Sequence, residues 1–152
     1  MPARCAFCEI VSGAVDAPVV FENSRVLAFL DHRPLFPGHS LLIPRQHFET
    51  LSDLPEAEVE PLFSAARLLA RAVEEAVGAE GSFVAINNRV SQSVPHLHVH
   101  VVPRRRGDGL RGFFWPRSKY RDESEAANTR DAIRAAVERL KKPSFSSGTF
   151  PA

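Results

Sequence analysis

The chain has 152 residues with a formal net charge of +1, and 44% of them are hydrophobic, including eleven phenylalanines. This composition is typical of one globular domain with a single core and excludes a disordered chain. No apolar run approaches the roughly 18 residues that a membrane-spanning helix needs. Arg4, Glu9 and Asp16 interrupt the region where a signal peptide would have its apolar core. We therefore predict a cytoplasmic protein with no membrane partner.

The sequence pattern predicts an α+β fold with about five antiparallel strands, one long helix and a C-terminal helix. Short runs rich in β-branched and aromatic residues, bounded by turn residues, indicate the strands, and apolar stripes with helical spacing indicate the helices. The predicted strands are Val19–Glu22, Val26–Leu30, Ser40–Ile43, Ser82–Ile86 and His96–Val102, and the predicted helices are Pro55–Val77 and Glu123–Leu140. We expect one domain over residues 1–142, with the long helix on one face of the sheet, and a mobile tail over 143–152.

The last predicted strand carries three histidines at alternate positions, His96, His98 and His100. Because strand side chains alternate between faces, the three imidazoles should project from one surface, spaced by roughly 6.6 Å. Imidazole is easily poised for proton transfer, nucleophilic attack or metal binding near neutral pH. Burying three such side chains would be costly without a purpose, so the pattern indicates a functional site.

The only cysteines of the chain, Cys5 and Cys8, form a CxxC pair. A reducing cytosol disfavours a structural disulfide, which leaves metal binding, redox chemistry or two free thiols as the alternatives. The pair supplies two of the four ligands that tetrahedral zinc requires.

Positive charge is concentrated between Pro103 and Asp122, where seven Lys or Arg residues and two Asp give +5. A local basic patch on a nearly neutral chain suits a compact polyanion better than duplex nucleic acid, and the chain contains no DNA-binding motif. A solvated loop is the alternative. We predict phosphate contact for this stretch and no nucleic-acid partner.

Taken together, the motifs resemble the histidine triad (HIT) family of nucleotide hydrolases and transferases. The resembling residues are Gln92–Pro95, His96–Val102 and Pro103–Arg104, with upstream matches at Ala28–Asp31, Pro37–Pro44 and His47. The resemblance covers Cys5 to about Asp108 and implies the HIT-like fold, usually as a homodimer. Ser91 departs from the glycine of many members. Gly112–Arg117 departs from the usual ending, and its Trp115 or Arg117 could select the leaving group.

The resemblance also implies roles for individual residues. His98 would be the nucleophile that forms a covalent nucleotidyl-histidine, His100 would donate to the α-phosphate, and His39 would hold His100 or the phosphate. The other implied residues are Asn87, Gln92 and Ser93 at the phosphate and leaving group, Asp31 at the ribose, and Phe7, Ile10, Phe29 and Leu30 as candidate walls for the base. In zinc-binding relatives the CxxC pair is completed by two histidines, which here gives a closed structural Zn²⁺ site of Cys5, Cys8, His47 and His96.

The implied reaction is hydrolysis at the α-phosphate of a nucleotide conjugate. Cys5–Val11 resembles the phosphoramidase-like members and Val102–Asp108 the dinucleoside polyphosphate hydrolases; the basic stretch favours a dinucleoside polyphosphate over a nucleoside phosphoramidate. A nucleotidyltransferase or phosphorylase reaction stays open because phosphate and water compete for the same intermediate. Two other classes also stay open: a metal-dependent enzyme that uses the three histidines as ligands, and a zinc-stabilised nucleotide-binding module without turnover.

Overall fold

The structure is a computed structural model that describes residues 4–110 and 117–141. Its elements are α1 (Ala6–Val11), β1 (Val19–Glu22), β2 (Val26–Leu30), β3 (Ser40–Pro44), a 3₁₀ turn (Leu51–Asp53), α2 (Glu56–Val77), β4 (Gly81–Ile86), β5 (Val99–Arg104) and α3 (Glu123–Lys141). The chain divides into two compact units, Met1–Gly109, which holds the sheet, and Leu110–Ala152, which holds α3. The predicted tail and residues 112–116 of the departing segment lie outside the described residues.

The five strands form one antiparallel sheet in the order β1-β2-β3-β5-β4, which confirms the predicted fold class. The central strand β3 is buried along its whole length. Its Leu41 lies opposite Phe29 of β2 on one side and His100 of β5 on the other. Strands β1 and β4 form the two edges of the sheet.

Each face of the sheet carries its own apolar cluster. On one face, α2 packs its buried stripe against side chains of the strands; this cluster includes Val26, Ala28, Leu42, Leu62, Leu69, Val73, Leu97, Val99 and Val101. On the other face, Phe7 of α1 packs with Leu27, Phe29, Leu41 and Ile43. Because Leu97, Val99 and Val101 face α2, the alternation from Leu97 into β5 directs His98 and His100 to the opposite face, where His98 contacts Phe7 of α1.

Helix α2 ends as predicted, at Gly78, which adopts a left-handed φ of 62°. Pro61 lies inside the helix and lacks the N–H that would reach the carbonyl of Ala57. Nη2 of Arg25 donates to that carbonyl at 3.2 Å, and the same guanidinium pairs with Glu58 at 2.7 Å. An arginine from the β1–β2 turn thus replaces the hydrogen bond that the proline removes.

Two local features differ from the sequence prediction. Strand β5 begins at Val99 rather than His96, because Leu97 N donates to Phe48 O at 2.6 Å and not to a ladder partner. The six-residue helix α1 was not predicted, since so short a helix shows no clear periodicity. Within the described residues, no helix combines the length and the apolar character needed to cross a membrane. The cytoplasmic location and the absence of a nucleic-acid partner stay predictions.

Candidate active site and metal centre

The four residues that the resemblance assigned to zinc come together in space. The donor atoms of Cys5, Cys8, His47 and His96 lie within 4.8 Å of one another. Nδ1 of His96 lies 3.4 Å from Sγ of Cys5 and 3.6 Å from Sγ of Cys8, whose sulfur lies 3.4 Å from Nδ1 of His47. Such separations are close to the edges of a tetrahedron whose metal–ligand bonds measure about 2.0–2.3 Å. Two sulfurs and two imidazoles form a donor set that fits zinc.

Hydrogen bonds prepare His96 for this role. Its Nε2–H donates to the carbonyl of Pro44 at 2.9 Å, so the lone pair is on Nδ1, the atom that faces the two sulfurs.

Burial, together with neighbouring Cys5, raises the pKa of the Cys8 thiol to about 11. A metal that binds here must therefore displace thiol protons at neutral pH. A cavity of about 710 Å³, lined in part by Cys5, Cys8 and His47, adjoins the cluster.

His98 is held in a defined tautomer. Its Nδ1 lies 2.7 Å from the main-chain carbonyl of His96, which can only accept, so Nδ1 carries the proton and Nε2 carries the lone pair. The imidazole is 3% exposed. It contacts the ring of His100 at a centroid distance of 5.0 Å and the ring of Phe7 at 5.3 Å. In its neutral form this imidazole therefore has its nucleophilic nitrogen, Nε2, free of the proton, and the ring lies beside a second imidazole.

A chain of hydrogen bonds fixes the tautomer of that second imidazole. The main-chain N–H of Leu35 donates to Nδ1 of His39 at 3.0 Å, which leaves the proton of His39 on Nε2. This Nε2–H then donates to Nδ1 of His100 at 3.0 Å. The proton of His100 must therefore lie on its Nε2, where it can serve as a donor. Sequence reasoning missed Leu35 because it acts through its main chain, which no side-chain pattern reveals.

His39 and His100, which this series of hydrogen bonds connects, are neutral at pH 7. Burial, assisted by the neighbouring His98 and His39, lowers the pKa of His100 from 6.5 to about 4, against a smaller opposing effect of the Asp31 carboxylate. Burial also lowers the pKa of His39, which the Asp31 carboxylate raises in part. Neutral His100 still donates through Nε2, so the donor needs no added proton.

The depressed pKa of His100 predicts a loss of stability in acid. The unfolded chain binds a proton at this histidine near pH 6.5 and the folded chain only near pH 4, so protons favour unfolding between these values. We expect the free energy of unfolding to fall by about 2 kcal/mol from pH 7 to pH 4.5 through this group. Urea unfolding of wild type and His100→Gln measures it. The variant should show a flatter pH profile, whereas His32→Gln at an exposed histidine should not; equal slopes for all three would contradict the assignment.

Asp31, His39 and His100 form a second cluster of potential metal ligands, with donor atoms within 4.8 Å of one another. Oδ2 of Asp31 lies 3.7 Å from Nε2 of His39. The Leu35 N–H occupies Nδ1 of His39 and keeps the proton on Nε2, which removes the lone pair that a metal would need there. This geometry favours a hydrogen-bonded chain over a metal site. Asp31 itself is oriented by the N–H of Arg33, which donates to Oδ1 at 2.9 Å.

The loop between β4 and β5 holds the three residues expected at the phosphate. Asn87 directly follows Ile86, the β4 partner of Val99, and so lies level with His98. Ser93 is exposed in the same loop. Both ends of the Gln92 amide are engaged: Oε1 accepts from Arg89 N at 2.8 Å, and Nε2 donates to Glu49 O at 2.6 Å. Gln92 therefore braces the loop, and the second N–H of its amide could contact a phosphate without breaking these bonds.

The sequence model of the HIT domain matches residues 12–107 of this chain. The chain belongs to the HIT domain family. An uncharacterized HIT-like protein of Methanocaldococcus jannaschii is 37% identical over 69% of this chain and 82% of its own length. Adenylylsulfatase HINT3 of Arabidopsis thaliana is 34% identical over 70% of this chain and 55% of its own. Bis(5'-nucleosyl)-tetraphosphatase (asymmetrical) of Schizosaccharomyces pombe is 33% identical over 71% of this chain and 59% of its own.

Solved structures agree with this HIT assignment. A HIT family member from Bacillus subtilis superposes with a TM-score of 0.81 at 30% identity and covers 92% of this chain and 99% of its own. A zinc-bound histidine triad protein from Mycobacterium smegmatis superposes with a TM-score of 0.67 at 36% identity and covers 90% of this chain and 97% of its own. Family membership and fold are therefore shown.

Three arginines of the basic stretch of this HIT domain contact protein groups, and the phosphate contact predicted for the whole stretch stays a prediction. Arg104 forms a two-point pair with Asp108, at 2.6 and 2.9 Å. Arg105 donates to the carbonyl of Gly78 at 2.7 Å and to that of Val77, and so caps the C-terminus of α2. Arg106 lies 3.5 Å from Glu80. All three arginines have protein partners, so they lend no support to the predicted phosphate contact.

Proposed function

We propose that this HIT protein is a hydrolase that cleaves at the α-phosphate of a nucleotide conjugate through a covalent nucleotidyl-histidine at His98. The observation that carries the proposal is the arrangement of protons on two adjacent imidazoles. His98 offers the lone pair of Nε2, because its Nδ1–H donates to His96 O. His100 offers an Nε2–H, because its Nδ1 accepts from His39. One nucleophile and one neutral donor are thus set side by side.

The proposed chemistry proceeds in two displacements. Nε2 of His98 attacks the α-phosphorus, a P–N bond forms, and the bond to the leaving group breaks as that group departs with the electron pair. The His98 ring becomes cationic, and its bond to the carbonyl of His96 stabilises this charge. The Nε2–H of His100 donates to a phosphate oxygen. Water then attacks the phosphorus, the P–N bond breaks and its electron pair returns to Nε2 of His98. The nucleoside monophosphate leaves with the hydroxyl, and the other proton of the water is released to solvent.

For the rest of the substrate we propose the residues that the resemblance named. Asp31 would accept from the ribose hydroxyls, and Asn87 and Ser93 would contact the phosphate and the leaving group. The position of Asn87 level with His98 supports this placement. The base would be lined by Phe7, Ile10, Phe29 and Leu30. Phe7 and Phe29 are buried in the apolar cluster on the α1 face of the sheet (the α1-side cluster), whereas Leu30 is 37% exposed.

The proposed substrate class is a nucleotide whose α-phosphate carries a second group that can be displaced, with dinucleoside polyphosphates first and nucleoside phosphoramidates second. Two relatives support the class by their names, a bis(5'-nucleosyl)-tetraphosphatase and an adenylylsulfatase. Arg104, Arg105 and Arg106 do not contribute to this choice, because they contact protein groups. A nucleotidyltransferase or phosphorylase would use the same intermediate with a different acceptor.

The decisive experiment traps the intermediate. Diadenosine tetraphosphate labelled at the α-phosphates is mixed with the protein, quenched in alkali and digested, since a P–N histidine bond is labile in acid. We expect the label on the peptide that contains His98, and its absence from His98→Asn. Release of AMP supports the hydrolase, whereas release of ADP on addition of inorganic phosphate identifies a phosphorylase. Turnover without label on His98 would contradict the proposal, and absence of any turnover would favour a binding module.

We also propose that Cys5, Cys8, His47 and His96 bind a structural Zn²⁺. The convergence of the four donors supports this, as does the zinc-bound relative from Mycobacterium smegmatis. The metal would hold α1 against the segment that leads into β5. Every step of the proposed chemistry uses side chains of the chain and no metal.

The edge strand β4 supports the homodimer that the resemblance implies. Val84 on β4 is 45% exposed, and Val59 and Phe63 on the adjoining helix α2 are 40% and 42% exposed. We propose that two copies pair along β4 and this part of α2. Val84→Lys should then convert the dimer to a monomer by light scattering. Val20→Lys, on the opposite edge strand at 47% exposure, is the matched control and should leave the mass unchanged; a monomeric wild type, or a dimer that survives Val84→Lys, would contradict the proposal.

A further inference from the structure

The aromatic ring of Phe7 lies against the imidazole proposed as the nucleophile. The two rings are 5.3 Å apart at an interplanar angle of 88°, an edge-to-face arrangement. Phe7 also contacts His96 edge-on at 5.8 Å and Phe29 at 5.4 Å, and it is 7% exposed. Phe7 therefore touches both His98 and the residue whose carbonyl accepts from His98.

A single hydrogen bond does not fix the plane of the His98 ring. The bond from Nδ1 to His96 O fixes one atom, but the ring can still tilt about that bond and swing Nε2 away from the line of attack. Two rings limit the tilt: His100 at 5.0 Å and 66°, and Phe7 at 5.3 Å and 88°. Since His100 is itself engaged with His39 and, in the proposed chemistry, with phosphate, Phe7 is the apolar support of the pair.

The position of Phe7 is in turn fixed from two directions. Helix α1 has six residues, too few to be stable alone, and Phe7 is its buried residue. On either side of Phe7 in the sequence, Cys5 and Cys8 reach Nδ1 of His96. Burial in the α1-side cluster and the cysteine–histidine cluster thus hold the same residue in place.

We propose that Phe7 is a positioning residue, whose ring holds the imidazole of His98 in the orientation from which Nε2 attacks phosphorus. The inference rests on the proposed function of His98 and assigns Phe7 a role in the ligand-free protein. A wall of the base pocket would act only on nucleotide affinity. A support for the nucleophile acts on the ring itself, before any nucleotide binds.

The test compares zinc-loaded Phe7→Leu with Phe21→Leu, the same substitution at a phenylalanine that packs on the opposite face of the sheet. For Phe7→Leu we expect kcat to fall at least about tenfold, with a change in KM below about threefold because leucine keeps an apolar surface toward the base. In ligand-free protein, the ¹⁵N and ring ¹H signals of His98 should broaden as the ring samples several tilts, while Nδ1 keeps its proton. Phe21→Leu should leave kcat, KM and these signals as in wild type.

Three outcomes would overturn the proposal. Unchanged kcat and His98 signals with a raised KM would make Phe7 a base wall alone. Equal effects of both variants would indicate general loosening of the core. If Phe7→Leu loses zinc, Phe7→Tyr, which retains the aromatic ring, must restore kcat and the His98 signals, and failure to do so would overturn the role. A wild type without turnover would refute the proposed function, whereas the ring signals would still decide the effect of Phe7 on His98.

Discussion

Replacing His98 by asparagine is expected to lower kcat by at least ~10⁴-fold, the order of loss seen when a covalent nucleophile is removed. The asparagine amide can still donate to His96 O as Nδ1–H of His98 does, so the local fold should persist. It has no basic nitrogen with a lone pair, so no bond to phosphorus can form. Nucleotide affinity should change by no more than a few-fold, because binding depends on groups other than the nucleophile.

Rapid-quench kinetics and calorimetry with a non-hydrolysable dinucleotide analogue measure the two quantities separately. His32→Asn is the matched control, because the side chain of His32 is 88% exposed and we assign it no role in the site. Substantial turnover by His98→Asn would show that another group attacks the phosphorus. If His98→Asn lost both nucleotide binding and turnover, the substitution would have damaged the pocket. The labelling experiment would then identify the nucleophile.

The second large effect is expected from Cys8→Ser. Serine oxygen is a poor zinc ligand, so the four-ligand site should lose its metal, and α1 should lose the cross-link to His47 and His96. We expect stability to fall by about 3 kcal/mol, which corresponds to a decrease in Tm of roughly 10 °C for a chain of this size. Zinc analysis should fall from about one ion per chain to well below one.

A chelator provides the internal check on this prediction. It should lower the Tm of wild type by the same amount and leave that of Cys8→Ser unchanged, because the variant has no ion to lose. Ser12→Ala, which lines the same cavity without contributing a metal donor, should bind zinc normally. Wild type that contains no zinc, or a Tm that does not respond to the chelator, would refute the structural metal.

Sequence periodicity predicted the architecture well where side-chain direction is a local property. The alternation from Leu97 to Val101 placed the aliphatic residues on one face and His98 on the other, as the structure shows. Gly78 marked the end of α2 because a left-handed residue there favours glycine. Helix α1 was not predicted because six residues are too few to show a helical periodicity. The predicted start of β5 was three residues too early because the N–H of Leu97 donates to the carbonyl of Phe48 rather than to a neighbouring strand.

Charge along the chain gave less information about contacts than residue spacing did. The arginines that begin at the end of β5 predicted a phosphate contact, which stays a prediction; in the structure Arg104 pairs with Asp108 and Arg105 binds the end of α2. A sequence shows how much charge a segment carries but not which protein groups neutralise it. By contrast, the zinc ligands needed the resemblance, because the CxxC pair supplies two donors and the other two lie 39 and 88 residues further on from Cys8.

The sequence by itself determined the family, the face of the sheet that carries the histidines and the set of candidate residues, because these depend on residue type and on spacing along a strand. Only the tertiary structure decided which nitrogen of each histidine holds the proton. The carbonyl of His96 and the N–H of Leu35 make that choice for His98 and His39. A tautomer is set by the hydrogen-bond partner across space, and in the case of His100 that partner, His39, stands 61 residues away in the chain.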